Sequence, residues 1–556
     1  VKKPFVYNGD FDVLVGEEFF VNGQLCFPPG PEKPDGGYRS IFGPSAAHTG
    51  VINSANNGNM GLAMQRLTCK RAPETPGKHE QLFENQANFV ANHIEFIARL
   101  RHLYSRFFED YEGAEIEALL HHADPHEKRE LRICAHLEMV EECINIDQNS
   151  PWSKSVLWKM KTDEWAKLNA WPRSIGDLGV VASLLGFRLT HFLKSAQSEE
   201  PIHVNGGDIV FCKTPDPFQL EKHFENLLNP PGRFYFLYFS DDSCLAIRRA
   251  DGSVDWYNLD IKSCDSSHGP SIFDVFKNVF PEGHPRHDAM RLIAQCCLPL
   301  RVVSRVDKRH VLIIRPKRPM LYSGSTITTG INNLANILIA LSISECVYTG
   351  AVGVNGESIE LIEAAERVGY MLTGCFKLEV FEDIQFLKNS PVKDKLGRWK
   401  PMLNFGVLVR ASGTCKGDLP GRGDLEMRAR AFQSGLIQGC YPYTRSEVIS
   451  SMRNATGCWE EPTERMKDDL RYKVDFDSKF PPYDVDEASF CARYRLDAAD
   501  YSSLLNDFAR MGYGESYHGG CLSKILEKDY GLTTCEFDNK PYLNVTYHSP
   551  TTEAIL

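Results

Sequence analysis

Two adjacent carboxylates, Asp241 and Asp242, follow Ser240 in a short polar stretch, and a third, Asp260, lies a little further along. Residues 234–239 (Phe-Tyr-Phe-Leu-Tyr-Phe) are aromatic enough for a buried strand, and 245–249 and 254–259 read as two more. Asp251-Gly252 is a hairpin signal, because both positions tolerate positive φ. With these two as the turn, Ala250 faces Ser253 and, counting outward, Ser243 faces Asp260. Two successive turns then return Asp260 to the level of Asp241 and Asp242, at one end of one sheet. Three carboxylates brought together repel one another unless cations neutralise them. A pair of Mg²⁺ or Mn²⁺ ions about 3.5–4 Å apart would do this, and such pairs serve in-line phosphoryl transfer. The plainer reading of Asp-Asp is a solvated turn, where Asp is favoured. The register count weighs against it.

A second constellation starts at Ser323-Gly324, continues through Thr328 and ends at Asn332, on the template Ser-Gly-x-x-x-Thr-x-x-x-Asn. Its chance occurrence in a chain this long is on the order of 1% or less at average residue frequencies. Ser323-Gly324 suits a flexible loop. Thr328 and Asn332, four apart, share a helix face, and Leu334, Ile337, Leu338 and Leu341 give the following helix an apolar side. An ordinary capped helix with a polar flank is the bland alternative.

Asp260 through Asp265, Ser323-Gly324 through Asn332, and Ser240-Asp241-Asp242 resemble motifs A, B and C of viral RNA-dependent RNA polymerases. The C-like element comes first here, an order similar to the permuted polymerases of permutotetraviruses and, more distantly, birnaviruses. The resemblance covers about residues 158–412. It implies that Asp260 and Asp241 ligate both metal ions, with Asp242 a weaker or outer ligand. It also implies that Asp265 and Asn332 sense the incoming ribose 2′-hydroxyl, which both gives and takes hydrogen bonds. Ser323, Gly324 and Thr328 would line the nucleotide site. Ser240 stands where many of these polymerases have Gly. Residues 159–175 are similar to motif F, which implies that Arg173, with Lys161 or Lys167, meets the triphosphate. A solvated, salt-bridged segment is equally compatible with that run, since Asp163 and Glu164 interrupt it. Lys377, after a predicted helix over 358–372 and Gly374, resembles the motif D lysine that protonates departing pyrophosphate. Phe386 and Lys388 resemble motif E, which grips the primer end.

Between the A-like and B-like elements, residues 301–319 carry a net charge of +6. Arg315, Lys317 and Arg318 belong to this stretch, which reads as a strand-forming basic ribbon along a template channel. A solvated edge ribbon guarded by Lys and Arg is the alternative. His121, His122, His126, Cys134 and His136 lack a recognised zinc spacing, and no Walker loop supports a helicase-type ATPase.

The whole chain must accommodate these elements. Its 556 residues, 42% hydrophobic, exclude wholesale disorder, and a net charge of −11 excludes a surface uniformly coated in positive charge. Seventeen cysteines without a Cys-x-x-Cys motif read as reduced thiols. The start, lacking Met and a hydrophobic signal core, reads as a trimmed or interior one, and no membrane span is expected. The expected fold class is α+β, a right-hand polymerase with an antiparallel palm sheet of permuted connectivity. Residues 1–227 would be a loop-heavy N-terminal arm and fingers, and 228–270 the first part of the palm, with motifs C and A. A fingers insertion over 271–320 precedes the second palm part, 321–412, with motifs B, D and E; 413–556 would be thumb and C-terminal region. The implied function is template-directed RNA synthesis for viral genome replication and transcription. RNA template, primer or nascent strand, ribonucleoside triphosphates and other viral replication proteins are the implied partners. The implied location is a replication complex in the host cytoplasm, or the virion. Alternatives are another palm-type two-metal nucleotidyltransferase or cyclase, and a non-enzymatic RNA-binding structural protein.

Overall fold

The structure, a computed structural model, describes residues 11–21, 24–31, 56–67, 77–109, 155–161, 172–178, 180–262, 264–348, 359–373, 375–413, 445–456, 464, 479–510 and 520–531. Lys167, Gly374 and the His121–Cys134–His136 group lie outside the described residues. In chain order the strands are β1 (Phe11–Val15), β2 (Phe20–Val21), β3 (Gln24–Leu25), β4 (Val156–Met160), β5 (Ser174–Asp177), β6 (Ile202–Val204), β7 (Gly207–Phe211) and β8 (Phe234–Phe239). They continue with β9 (Asp242–Arg248), β10 (Val254–Ile261), β11 (Leu300–Val303), β12 (Val311–Pro316), β13 (Leu372–Thr373), β14 (Asn389–Lys393) and β15 (Trp399–Leu403). With the helices between them they make a mixed α+β protein. The described cysteines are free thiols.

A six-stranded sheet in the order β13-β10-β9-β8-β7-β6 is the centre of the molecule. Its meander β8–β9–β10 is antiparallel, as the aromatic and alternating patterns predict, but β7 runs parallel to β8, so the sheet is mixed rather than antiparallel. The reason is the connection: parallel neighbours need a crossover, supplied here by the helix Pro217–Leu228. Asp216 and Gln219 form a capping box at its start, with Pro217 in the first turn.

Both faces of this sheet are buried, which is why 234–239 is apolar without alternation. Phe236, Tyr238, Leu245, Tyr257 and Leu259 belong to the main core, shared with the helix Thr328–Tyr348. Tyr235, Leu237, Cys244 and Ala246 pack with Leu220, Phe224 and Phe386 in a smaller cluster. The helix Thr328–Tyr348 is largely apolar without a polar face because most of its surface meets protein. It is long and apolar enough to cross a bilayer by length and composition, but 89% of its most apolar window is buried inside the protein.

The β9–β10 register differs by one residue from the predicted one. The loop holds three residues, 250–252, closed by Arg249 N–H donating to Ser253 O at 2.8 Å, with Gly252 at φ +86°. Only a residue that accepts the left-handed region can end such a loop, and Gly does so at no steric cost. Leu259 therefore faces Ser243, and Asp260 comes level with Asp242 instead of Ser243.

A second, five-stranded sheet runs β1-β12-β11-β4-β5. Here β1 pairs antiparallel with β12, so part of the expected loop-heavy arm closes a sheet, and the helix Asn57–Arg66 adds to it. The basic β11–β12 pair consequently lies inside this sheet and is not an edge ribbon. The C-terminal helices form a separate core with the β14–β15 hairpin, including Val392, Phe405, Leu504 and Ile525.

Candidate functional site

Ser240 and Asp241 make the tight turn between β8 and β9, with Phe239 paired to Asp242. Ser240 adopts φ +52°, in the region that favours glycine. The helix Thr328–Tyr348 holds it there through asparagines that are buried in an otherwise apolar segment. Asn333 Oδ1 accepts from Ser240 N–H at 2.7 Å, Asn336 Nδ2 donates to the Ser240 carbonyl, and Asn332 Nδ2 lies 3.4 Å from Ser240 Oγ. Asn333 gives the turn its Oδ1 and Asn336 its Nδ2, while Asn333 Nδ2 and Asn336 Oδ1 are buried without a partner among the described residues, at a cost of about 1–3 kcal/mol each that the bonds to the turn must offset.

The turn brings the carboxylates into one field. Asp242 precedes Ser243 and Asp260 follows its partner Leu259, so the register brings the two carboxylates level at the end of neighbouring strands, while Asp260 also accepts from Thr373 Oγ1 at 3.0 Å. The Asp242 carboxyl is pushed up to about 7 by burial and then by the charges of Asp241 and Asp260. Lys388 and a hydrogen bond from Leu387 N–H oppose that rise. Asp241 lies at the surface of the turn, yet neighbouring protein displaces water from it, which raises its carboxyl; Asp265 adds to this and Arg173 opposes it. Among the described residues, no three His, Cys, Asp or Glu side chains converge on a common point where a metal ion could sit.

Asp265 and Asn332, which the resemblance pairs, are in direct contact. Asn332 Nδ2 donates to Asp265 Oδ1 at 3.0 Å, and Ser323 Oγ donates to Asp265 Oδ2 at 2.8 Å. Gly324, at φ +89°, allows the loop to turn after Ser323. Thr328 is not in this cluster: its hydroxyl donates to the Tyr322 carbonyl at 2.7 Å and secures the loop instead. Two residues the sequence reading missed complete the arrangement. His268 Nε2 lies 2.8 Å from Asn332 Oδ1, and His268 Nδ1 lies 2.8 Å from the Tyr370 hydroxyl.

The cations are distributed unevenly. Lys161 N–H donates to the Arg173 carbonyl at 2.9 Å across the β4–β5 hairpin, and Gly176 N–H reaches the Ser323 carbonyl at 3.4 Å. This places Arg173 beside the Ser323 loop, and its charge reaches Asp241. Phe386 is fully buried and pairs with Asn389, closing a turn in which Leu387 and Lys388 have φ +51° and +60°. Those two strained residues turn the Leu387 N–H and the Lys388 charge toward Asp242. Lys388 Nζ also donates to the Asp529 carbonyl at 2.7 Å and sits over the Tyr530 ring.

Lys377 does not reach the carboxylates. Its ammonium pairs with Asp255 at 2.9 Å, five residues up β10 from Asp260 and so about 17 Å away along the strand. Arg315 is exposed on β12, opposite Asp12; Lys317 pairs loosely with Asp12 at 3.7 Å, and Arg318 is half-buried just beyond.

No protein-family model matches the chain, and no curated protein matches it. Among solved structures it is similar to the X-ray structure of the birnavirus VP1-VP3 complex. Identity there is 12% and the TM-score 0.36, over 71% of this chain and 50% of that one. The chain thus spans about half the length of the structure it matches.

Proposed function

We propose that the chain is an RNA-directed RNA polymerase that adds ribonucleotides to an RNA 3′-hydroxyl and releases pyrophosphate. One observation carries the reading: three segments meet at the end of one sheet. They are the Ser240-Asp241-Asp242 turn, the Asp260-to-Asp265 segment and the loop and helix from Ser323 to Asn332. These are the segments that resemble motifs C, A and B, and the hairpin loop at 250–252 joins C to A directly. A permuted order therefore needs no change in which strands are neighbours.

Carboxylates are the donor type that hard divalent cations take. Asp241, Asp242 and Asp260 offer carboxylate oxygens at one end of the sheet, and a cation there would offset both the burial and the mutual repulsion that raise the Asp242 carboxyl. Two Mg²⁺ or Mn²⁺ ions held by these residues would supply activation of the attacking hydroxyl and neutralisation of charge on the leaving phosphates. The remaining roles belong to the chain itself. Arg173, with Lys161 on the same hairpin, orients the triphosphate. Asp265 and Asn332 present an acceptor and a donor to the ribose 2′-hydroxyl, and Ser323 keeps Asp265 turned toward them. The Leu387–Lys388 turn stabilises ionised Asp242. Arg315 and its neighbours on the basic sheet offer the template backbone a positive surface. Lys377, engaged with Asp255, has no part in this scheme.

The test is extension of a templated RNA primer with ribonucleotides and Mg²⁺ or Mn²⁺. Parent protein should give template-dependent product, and Asp241→Ala should lower the rate on the order of a thousandfold. No templated product from the parent, or full activity in the variant, would overturn the reading. Product made without template would point instead to another nucleotidyl transferase.

A further inference from the structure

A carboxamide has a donor end and an acceptor end, and the pairing with Asp265 works in one orientation only. Asp265 as a carboxylate accepts and cannot donate, so Asn332 must present Nδ2 to it; a flipped amide would set oxygen against oxygen. Something must hold the amide in place when no nucleotide is bound. Asn332 Oδ1 lies 2.8 Å from His268 Nε2 and 3.3 Å from Cys264 Sγ. His268 Nδ1 lies 2.8 Å from the Tyr370 hydroxyl. Asn332, His268 and Tyr370 are 2%, 1% and 3% exposed, so water does not compete for these bonds.

Burial holds the His268 imidazole below its ordinary pKa, so one ring nitrogen donates and the other accepts. Asn332 Oδ1 can only accept, so the ring proton sits on Nε2 and faces it, and Nδ1 is left to accept from the Tyr370 hydroxyl. Protonation of the ring would not reverse this, since Nε2 would still donate. The buried Cys264 thiol, its pKa raised by loss of water, stays protonated and points a second donor at the same oxygen.

We propose that His268 and Tyr370 are positioning residues that fix the Asn332 amide with its NH₂ toward Asp265, and thereby set the preference for ribonucleotides over deoxyribonucleotides. The proposal rests on the polymerase reading of this site. Neither side chain touches the nucleotide; the effect passes through Asn332. Tyr370 lies just ahead of β13, the strand that pairs Thr373 with Asp260. The relay thus joins the strand beside the carboxylates to the helix carrying Asn332.

The experiment measures kcat/KM for a ribonucleotide and its 2′-deoxy counterpart in templated primer extension. His268→Leu removes the donor at similar volume and should cut discrimination about tenfold, through a raised KM for the ribonucleotide and an unchanged deoxynucleotide value. Tyr370→Phe, which frees the imidazole to adopt the other tautomer, should give a smaller fall in the same direction. His268→Gln keeps a donor there and should restore most of the discrimination. In an Asn332→Ala background, His268→Leu should change selectivity no further. Unaltered discrimination in both His268→Leu and Tyr370→Phe, or a full effect persisting without Asn332, overturns the proposal while leaving the polymerase reading intact. A parent that makes no templated product overturns both. Should His268→Leu fail to fold, Tyr370→Phe, which loses a single oxygen atom, decides.

Discussion

Asp242 shows what the site costs a single residue. Its carboxyl has a folded pKa of about 7, against 3.8 for the free group, because burial and then Asp241 and Asp260 disfavour its charge more than Lys388 and the Leu387 N–H support it. A carboxyl that holds its proton more tightly in the folded state binds more protons there than in the unfolded chain between those two values. Stability therefore falls as pH rises from about 4 to about 7, and levels off above. In the presence of a chelator, the urea midpoint of the parent should follow that fall. Asp242→Asn should flatten it and be the more stable protein above about pH 7, by about 1–2 kcal/mol after allowance for partial exposure. Mg²⁺ should then raise the midpoint of the parent more than that of the variant. Equal pH slopes in the two proteins would show that Asp242 is not the strained carboxylate.

At the scale of elements, the Ser240-Asp241 turn is held by its neighbours as much as by its own sequence. Ser240 at φ +52° has its N–H and carbonyl bound by Asn333 and Asn336, so the helix dictates a conformation that a serine avoids. Ser240→Gly should leave the urea midpoint almost unchanged, since relief of backbone strain offsets the greater freedom of an unfolded glycine. Ser240→Val, β-branched and poorly suited to positive φ, should lose about 2 kcal/mol. A valine variant as stable as the parent would mean that the turn is not clamped. This element also shows how far the sequence could be read. The β8, β9 and β10 strands were legible because their aromatic and alternating patterns are local, and the proximity of Asp265 and Asn332 because their motifs resemble known ones; the bond from Ser323 to Asp265 was not. The one-residue register difference was hidden in the choice between a two-residue turn and a three-residue loop, both served by Asp251-Gly252. His268 and Tyr370 were not legible, since their contacts with each other and with Asn332 cross 64 to 102 residues. The three asparagines within an apolar helix were the available signal that something polar would face it.

Across the whole molecule, the sheet-centred body and the C-terminal helical core meet at a joint made of buried charge. Asp383, beside the smaller core cluster, accepts from Arg495 Nη2 at 2.7 Å and from Lys528 Nζ at 2.7 Å. Next to it, Arg493 bonds Asp529 at 2.9 Å, the Glu382 carbonyl at 2.9 Å and Gln385 Oε1 at 2.9 Å. Asp529 in turn accepts from Gly406 N–H and Tyr494, and its carbonyl receives Lys388. The network therefore runs from the C-terminal helices to the turn that faces Asp242. Burial alone would raise the Asp383 carboxyl, but the hydrogen bonds from Arg495 and Lys528 outweigh it and hold its pKa below the ordinary value. A carboxyl depressed in this way contributes stability that is present above its unfolded pKa and lost as pH falls through the folded one. Asp383→Ala strands two cations and should cost about 2 kcal/mol, less than the roughly 3–5 kcal/mol of a fully buried pair because both partners reach solvent. It should also flatten the acid limb of the stability profile below about pH 4. If the joint matters to the site, the same variant should slow primer extension without changing ribonucleotide selectivity, because Lys388 lies on the network and His268 does not. Loss of selectivity in Asp383→Ala would instead couple the joint to the Asn332 relay, and unchanged stability would show that the Asp383 pairs add nothing to the joint.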